Sequence, residues 1–273
     1  MAWHKLKNII LIILLLANAF LLVLVVGQDL QSRKYEESAL ADALQILKEN
    51  GIVLSSRDLP AGPLPKPLRC AVTPESQQEL AVSLLGEGAN LQTQTALLSR
   101  YLSPSGVLEL RADGGFSATF SVGAAPLGLD SPEHHALALV KKMGLAAQIV
   151  PNRAPPPDGT TAVTLRQTVD GKPIFSQEFT ALYRDGSLAA LSGNALFGPL
   201  SPDPDAATLS LATLLVRFRA GIAESGAVCR AVVAITPGYI TEGAALVPIL
   251  QMESDTGGLY ALNALTGALS VVK

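Results

Sequence analysis

Residues 162–196 read AVTLRQTVDGKPIFSQEFTALYRDGSLAALSGNAL, an apolar and β-branched stretch that Asp-Gly interrupts twice. Asp-Gly between two such segments is typical of a tight β-hairpin turn. The stretch therefore predicts three strands that follow one another as hairpins, at Ala162–Thr168, Pro173–Tyr183 and Leu188–Leu196.

A capped helix is predicted before this meander. Ser131 supplies a capping hydroxyl, and Pro132 occupies the first helical position. Thr73 and Pro74 give the same signal earlier in the chain, and a third helix is predicted at about 210–224, before four further strands. The expected fold class is α+β, with a single N-terminal transmembrane helix followed by repeated units of a helix and an antiparallel sheet.

The predicted transmembrane helix is the apolar run from Ile9 to Val26. About 18 residues at 1.5 Å rise give a helix of roughly 27 Å, close to the thickness of a bilayer's hydrocarbon core. The alternative is a cleaved signal peptide, with release after Ala19 or Gly27.

The orientation of this helix depends on its flanks. Lys5 and Lys7 on one side nearly balance Arg33 and Lys34 on the other. The free amine and Trp3, placed like an interfacial anchor, favour a cytoplasmic N-terminus. The expected location is the cell membrane, with a single pass and the C-terminal body outside the cytoplasm.

The expected organisation follows from this location and from the proline-rich segment that precedes the first predicted strand. Four prolines in that segment predict a stiff spacer. The predicted parts are a cytoplasmic flank at 1–8, the transmembrane helix at 9–26, a juxtamembrane helix and stalk at 27–67, a first α+β domain at 68–125, and a second α+β region at 126–273 with a possible boundary near 201.

Composition and motifs predict a protein without catalytic chemistry. The net charge of the 273 residues is −3, with no long run of one sign, which argues against nucleic-acid binding. His134 and His135 are adjacent on a helix and point about 100° apart, so they are not expected to share a metal ion. Asp203 and Asp205 fit a turn better than an acid–base pair. We expect no enzyme activity, no cofactor and no metal.

The two cysteines, Cys70 and Cys229, are far apart and lie in apolar, strand-like surroundings. Buried free thiols are the favoured interpretation. A disulfide is the alternative if the body lies outside the cytoplasm.

One polar residue lies near the middle of the apolar run. An unsatisfied amide at Asn18 would be costly in a bilayer, and the flanking alanines permit close approach of a second helix. The predicted partner-binding face comprises Leu11, Leu14, Leu15, Ala17, Asn18, Ala19, Leu22 and Val25. The alternative is a lone asparagine that bonds to its own backbone or snorkels to the interface.

The N-terminal segment, with Trp3 and Asn18 in their apolar context, resembles the YycI family, as do Leu47–Ile52 and the proline-rich exit after Leu59. The blocks 167–175 and 246–267 resemble that family's C-terminal region. They also resemble the broader PepSY-like pattern, in which an Asp-Gly-x-Pro-Ile-Phe hairpin accompanies a strand that ends in a Thr-Gly turn. Ile249 departs from that pattern, which has a tryptophan there.

The resemblance to YycI, a relative of YycH, implies a non-enzymatic, membrane-anchored regulator of the YycG–YycF (WalK–WalR) two-component system. Such a protein would modulate a cell-wall-related sensor histidine kinase through contacts of its transmembrane helix and extracytoplasmic domains. Its implied partners are the kinase, a YycH-like protein and the lipid bilayer. The alternative that the PepSY-like pattern implies is an extracytoplasmic binding or protease-inhibitory module.

Overall fold

The computed structural model describes residues 2–60, 62–152 and 155–272. Within the first helix it describes only some of the side chains. These residues form four α-helices, a short 3-10 helix and fourteen strands. The helices are α1 (Ala2–Glu49), α2 (Pro74–Leu85), α3 (Pro132–Lys142) and α4 (Leu211–Ser225), and Ser56–Asp58 is the 3-10 helix. The strands are β1 (Leu68–Cys70), β2 (Asn90–Gln94), β3 (Leu98–Ser103), β4 (Gly106–Arg111), β5 (Gly115–Phe120), β6 (Ala146–Val150), β7 (Thr160–Val169), β8 (Lys172–Arg184), β9 (Ser187–Asn194), β10 (Leu200–Pro202), β11 (Val232–Glu242), β12 (Ala245–Ser254), β13 (Leu259–Asn263) and β14 (Leu269–Val272).

The strands belong to one mixed sheet. Its main path runs β10-β1-β12-β11-β8-β9-β5-β4-β3-β2, while β13 and β14 extend from β12, and β6 and β7 extend from β8. β8 and β11 pair in parallel, and the other pairings between the described strands are antiparallel.

The predicted fold class, a transmembrane helix followed by separate helix-plus-sheet units, is wrong. α2 and α4 each precede four strands and α3 precedes five, but those strands do not form separate sheets. β5 and β9, which belong to two such groups, pair over Gly115–Thr119, and β8 is long enough to contact both β9 and β11. Strand edges carry N–H and C=O groups that need partners, so neighbouring meanders join edge to edge.

The predicted separate helix at 9–26 is also corrected. α1 continues without a break for 48 residues, from Ala2 to Glu49. Among the residues that the structure describes, no helix is long and apolar enough to cross a membrane.

The largest core lies between the sheet and the pair α2 and α3, which contact each other on the same face. Phe116 of β5 packs edge to face against Phe179 of β8 and Phe197, with ring centroids 5.8 and 5.0 Å apart. Each buried ring contributes about 1.5–3 kcal/mol relative to an exposed one. The joined meanders therefore share one core.

A second core lies between α4, the end of α1 and the strands β11–β13. Leu47 of α1 and Leu214 of α4 are fully buried there. Arg219 donates a hydrogen bond from Nη2 to Asn50 Oδ1 over 2.6 Å. The end of α1 is therefore packed into the body.

Candidate binding groove beside the 170–173 hairpin

The turn between β7 and β8 consists of Asp170 and Gly171, which have φ angles of 49° and 74°. Two consecutive positive φ angles define the type I′ turn whose twist matches that of the flanking strands. Asp185 and Gly186 form a second such turn after β8, with φ angles of 50° and 69°. Both turns stand where the sequence predicts them.

The residues after the first turn attach β8 to β11. Ile174 is fully buried and pairs with Tyr239. A Cβ atom at Gly238 would lie 2.5 Å from Pro173 O and 2.5 Å from the Phe175 ring, so only glycine permits this approach. The apolar residues of the Asp-Gly-x-Pro-Ile-Phe motif, Pro173–Phe175, therefore hold β8 against β11.

A groove of about 580 Å³ lies beside this turn, and we call it the hairpin groove. Three segments line it, from the chain after α1, the β7–β8 turn and the first half of β11: Arg57–Pro60, Gly171–Pro173 and Val233–Pro237. Val233 is half exposed, whereas Ile235 is partly buried against the second core. The groove therefore combines an apolar floor with an exposed strand edge.

The edge of β11 is open within the groove. On the side away from β12, Val53 forms a parallel bridge with Ala231, and further along Ile174 pairs with Tyr239. On this side, no described strand pairs with β11 between these two points. A free strand edge presents N–H and C=O groups that bind an extended peptide. Val233–Pro237 would match about 16 Å of such a peptide.

Charges surround the groove unevenly. Arg57 and Lys172 line it together with Asp58, so two basic groups face one carboxylate. On the neighbouring strands, Arg166 donates from Nε to Glu178 Oε1 over 2.9 Å, and its Cζ lies 5.3 Å from the Phe175 ring centroid. This contact stiffens the β7–β8 hairpin and covers one face of Phe175.

Tyr239 follows the β11 segment that lines the groove, and it is 3% exposed. Burial, followed by the negative charge of Asp170, raises the pKa of Tyr239 to about 12. Its side chain belongs to a small core cluster with Ile174 and Leu246.

The partner-binding face predicted from sequence falls on α1 and not on this groove. Leu14, Leu15, Ala17, Asn18 and Leu22 are exposed on the helix. The side chains of Leu11, Ala19 and Val25 lie outside the described residues. The predicted partner-binding role of this face stays a prediction.

The histidines and cysteines are accounted for by local contacts. His135 Nδ1 lies 3.0 Å from the Tyr183 hydroxyl, whereas His134 is exposed. Cys70 and Cys229 are buried free thiols, and burial raises the pKa of both. Within the described residues, no group of three His, Cys, Asp or Glu side chains could hold a metal ion.

The carboxylates predicted to be turn residues occupy the loop after β10. Asp203 Oδ2 accepts a hydrogen bond from Arg69 Nε over 2.8 Å, and Asp205 N donates to Asp203 Oδ1 over 3.2 Å. The hydrogen bond from Arg69 lowers the pKa of Asp203. The pair links β1 to the loop after β10.

The open edge of β11 was not predicted from the sequence. The strand runs from Val232 to Glu242 and includes Pro237. Pro237 was the available signal, because a proline inside a strand lacks an N–H and is found on edges.

Comparison with known proteins connects the hairpin to one family motif. Residues 153–195, which include all of β7, β8 and β9, match the Fungalysin/Thermolysin Propeptide Motif. No curated protein matches the chain. Among solved structures, an uncharacterized protein from Eubacterium rectale ATCC 33656 aligns with a TM-score of 0.40 and 9% identity, over 77% of this chain and 81% of that chain.

Proposed function

We propose that this chain is a non-enzymatic module that binds and inhibits a metallopeptidase of the thermolysin type. The observation that carries the proposal is the match of residues 153–195 to a propeptide motif named for fungalysin and thermolysin. Thermolysin is a zinc peptidase whose metal is held by two histidines and a glutamate. A propeptide acts on such an enzyme by binding, so the chain would need no catalytic group of its own.

The hairpin groove is the surface that we assign to this contact. The β7–β8 turn inside the matched segment forms one wall of the groove, and the open edge of β11 forms another. An extended segment of the peptidase would add to this edge through backbone hydrogen bonds.

The charges of the groove would select the segment. Arg57 and Lys172 favour an acidic side chain on the added strand, since opposite charges across an interface steer association. Backbone bonding would supply affinity that depends little on sequence, and the two basic groups would supply specificity.

Inhibition of thermolysin itself is the direct test. The full chain is titrated into thermolysin, and hydrolysis of a fluorogenic peptide is followed together with the integrity of the chain on a gel. We expect a saturable loss of hydrolysis while the chain stays intact. Undiminished hydrolysis, or cleavage of the chain without inhibition, contradicts the proposal.

Two variants locate the contact. Lys172→Glu reverses a charge in the groove and should weaken inhibition by about tenfold, which corresponds to about 1.4 kcal/mol. Lys142→Glu makes the same charge change on α3, outside the groove, and should inhibit like the unchanged chain. Equal inhibition by both variants would place the contact elsewhere.

Regulation of a sensor histidine kinase, association with a YycH-like partner and a membrane location stay predictions that follow from the sequence and its resemblance to YycI. They do not contribute to the proposal above.

A further inference from the structure

A cavity of about 680 Å³ lies between segments that are far apart in sequence. The start of α2, the β4–β5 turn, the chain after β9 and the β11–β12 turn all contribute to its lining. We call it the junction cavity. Its volume falls in the range of about 300–1,000 Å³ that is usual for sites of small ligands.

Gln177 of β8 lines the cavity and is 4% exposed. Its Nε2 donates to Thr241 Oγ1 over 3.0 Å, whereas its Oε1 accepts no hydrogen bond from the part of the chain that the structure describes. A buried acceptor without a donor is costly, and proteins rarely keep one.

Gln167 provides an internal comparison, because it is equally buried. Its Oε1 accepts from Leu196 N over 2.9 Å, and its Nε2 donates to Leu196 O over 3.1 Å. Both polar atoms of the Gln167 side-chain amide thus bind the backbone of Leu196, in the chain after β9. Gln177 differs, because within the described residues Nε2 has a hydrogen-bond partner and Oε1 has none.

A cationic group lies at the mouth of the cavity. The Arg111 side chain is 56% exposed, and its Nε is 3.6 Å from Asp113 Oδ1. That carboxylate also accepts from Gly115 N over 2.9 Å, and at 3.6 Å from Nε it is beyond the distance of a direct hydrogen bond to Arg111. A Cβ atom at Gly115 would lie 2.4 Å from Arg111 Nη2, so glycine leaves room for the guanidinium at the mouth.

The remaining wall is apolar. Leu110, Leu196 and Phe197 line the cavity, and each is less than 10% exposed. A ligand that fits therefore has an N–H donor for Gln177, an anionic group for Arg111 and an apolar side chain for this wall.

We propose that the junction cavity binds a short peptide with a free C-terminal carboxylate. A backbone amide of the peptide donates to Gln177 Oε1, its carboxylate pairs with Arg111, and an apolar side chain packs on Leu196 and Phe197. The site is independent of the hairpin groove, because the two sets of lining residues do not overlap.

The test uses two probes and the full chain. N-acetyl-leucyl-leucine, which has a free carboxylate, and its C-terminal amide are each titrated by isothermal calorimetry. We expect saturable binding of the acid and about tenfold weaker binding of the amide, since the pair with Arg111 is charge-assisted. No saturable binding of the acid, or equal binding of acid and amide, overturns the proposal.

Variants separate binding from folding. Gln177→Leu should keep or raise the midpoint of thermal unfolding and weaken binding of the acid by about tenfold or more, because an N–H donor then meets no acceptor. Arg184→Gln, at the exposed end of β8, removes a positive charge outside the cavity and should bind the acid normally. Binding that Gln177→Leu leaves unchanged contradicts the assignment.

A measurement on the unchanged protein covers the case in which Gln177→Leu does not fold. The methyl resonances of Leu110 and Leu196 should shift when the acid is added, whereas that of the exposed Leu97 should shift much less. Shifts confined to other parts of the molecule overturn the proposal.

Discussion

Ile174 of β8 pairs in parallel with Tyr239 of β11, and both side chains are buried. This bridge connects the β2–β9 part of the sheet to the strands that pack on α4. The small cluster around it contains Cys70, Leu196 and Leu246, so three separate regions of the chain meet there. The stability of the whole sheet should depend on this cluster.

Truncation of Ile174 tests that dependence. Ile174→Ala removes a fully buried side chain and should lower the free energy of unfolding by about 2–5 kcal/mol. The measurement is urea denaturation followed by circular dichroism. Ile149→Ala is the control, because Ile149 is 44% exposed, and its effect should stay within about 0.5 kcal/mol. Equal effects of the two variants would refute the role of the cluster.

A methyl group at Gly238 should also weaken the junction. The new Cβ would meet the backbone oxygen of Pro173 at 2.5 Å, and a backbone atom in a sheet cannot move far. We expect Gly238→Ala to lower the free energy of unfolding by about 1–3 kcal/mol. Gly88→Ala is the matched control, since its Cβ would approach Pro104 Cδ only to 3.8 Å. A Gly238→Ala chain as stable as the unchanged protein would show that β8 and β11 do not pack in this way.

The bond between Arg69 and Asp203 should make stability depend on pH. The hydrogen bond from Arg69 lowers the pKa of the folded Asp203 carboxyl, so its contribution is present above the unfolded pKa of about 3.9. It is lost as the pH falls through the folded pKa. The stability difference between the unchanged chain and Asp203→Asn should therefore shrink as the pH falls from neutral to about 3.

Chemical denaturation at several pH values measures this difference. Asp158→Asn, on an exposed loop, is the control and should change the free energy of unfolding at neutral pH by less than about 0.5 kcal/mol. A difference for Asp203→Asn that stays constant with pH would show that the carboxylate charge does not contribute.

The burial of the Tyr183 hydroxyl should affect stability at alkaline pH. Burial, with a smaller contribution from Glu133, raises the pKa of the Tyr183 hydroxyl. The folded state therefore favours the neutral phenol, and its stabilising contribution is complete below the unfolded pKa of about 10. Above that pH the unchanged chain should lose stability faster than Tyr183→Phe. Parallel curves for the two proteins between about pH 9 and 11 would exclude this linkage.

Local features of the fold were predictable from sequence because their causes are local. The Asp-Gly turns after β7 and β8 form where expected, since few residue pairs tolerate two positive φ angles. Ser131 caps α3 as predicted, accepting from His134 N over 3.2 Å. Strand β2 was missed, because all five of its residues are exposed and show no alternation of apolar and polar side chains.

The candidate groove could not be predicted in the same way. Its walls come from three segments that are far apart in sequence. Its open edge lies between the bridge of Val53 to Ala231 and the pairing of Ile174 with Tyr239. The predicted face on α1 used a different kind of signal, an asparagine in an apolar run, and stays a prediction.

By itself, the sequence determined where strands turn, where α2 and α3 are capped and which segments are apolar enough to be buried, because these properties depend on a few neighbouring residues. The tertiary structure alone decided that β5 pairs with β9, that β8 reaches β11 in parallel and that the end of α1 packs on α4. Backbone N–H and C=O groups are the same on every strand edge. The choice among edges is therefore made by the burial and close packing of side chains distant in sequence, such as Ile174 beside Gly238 and Tyr239.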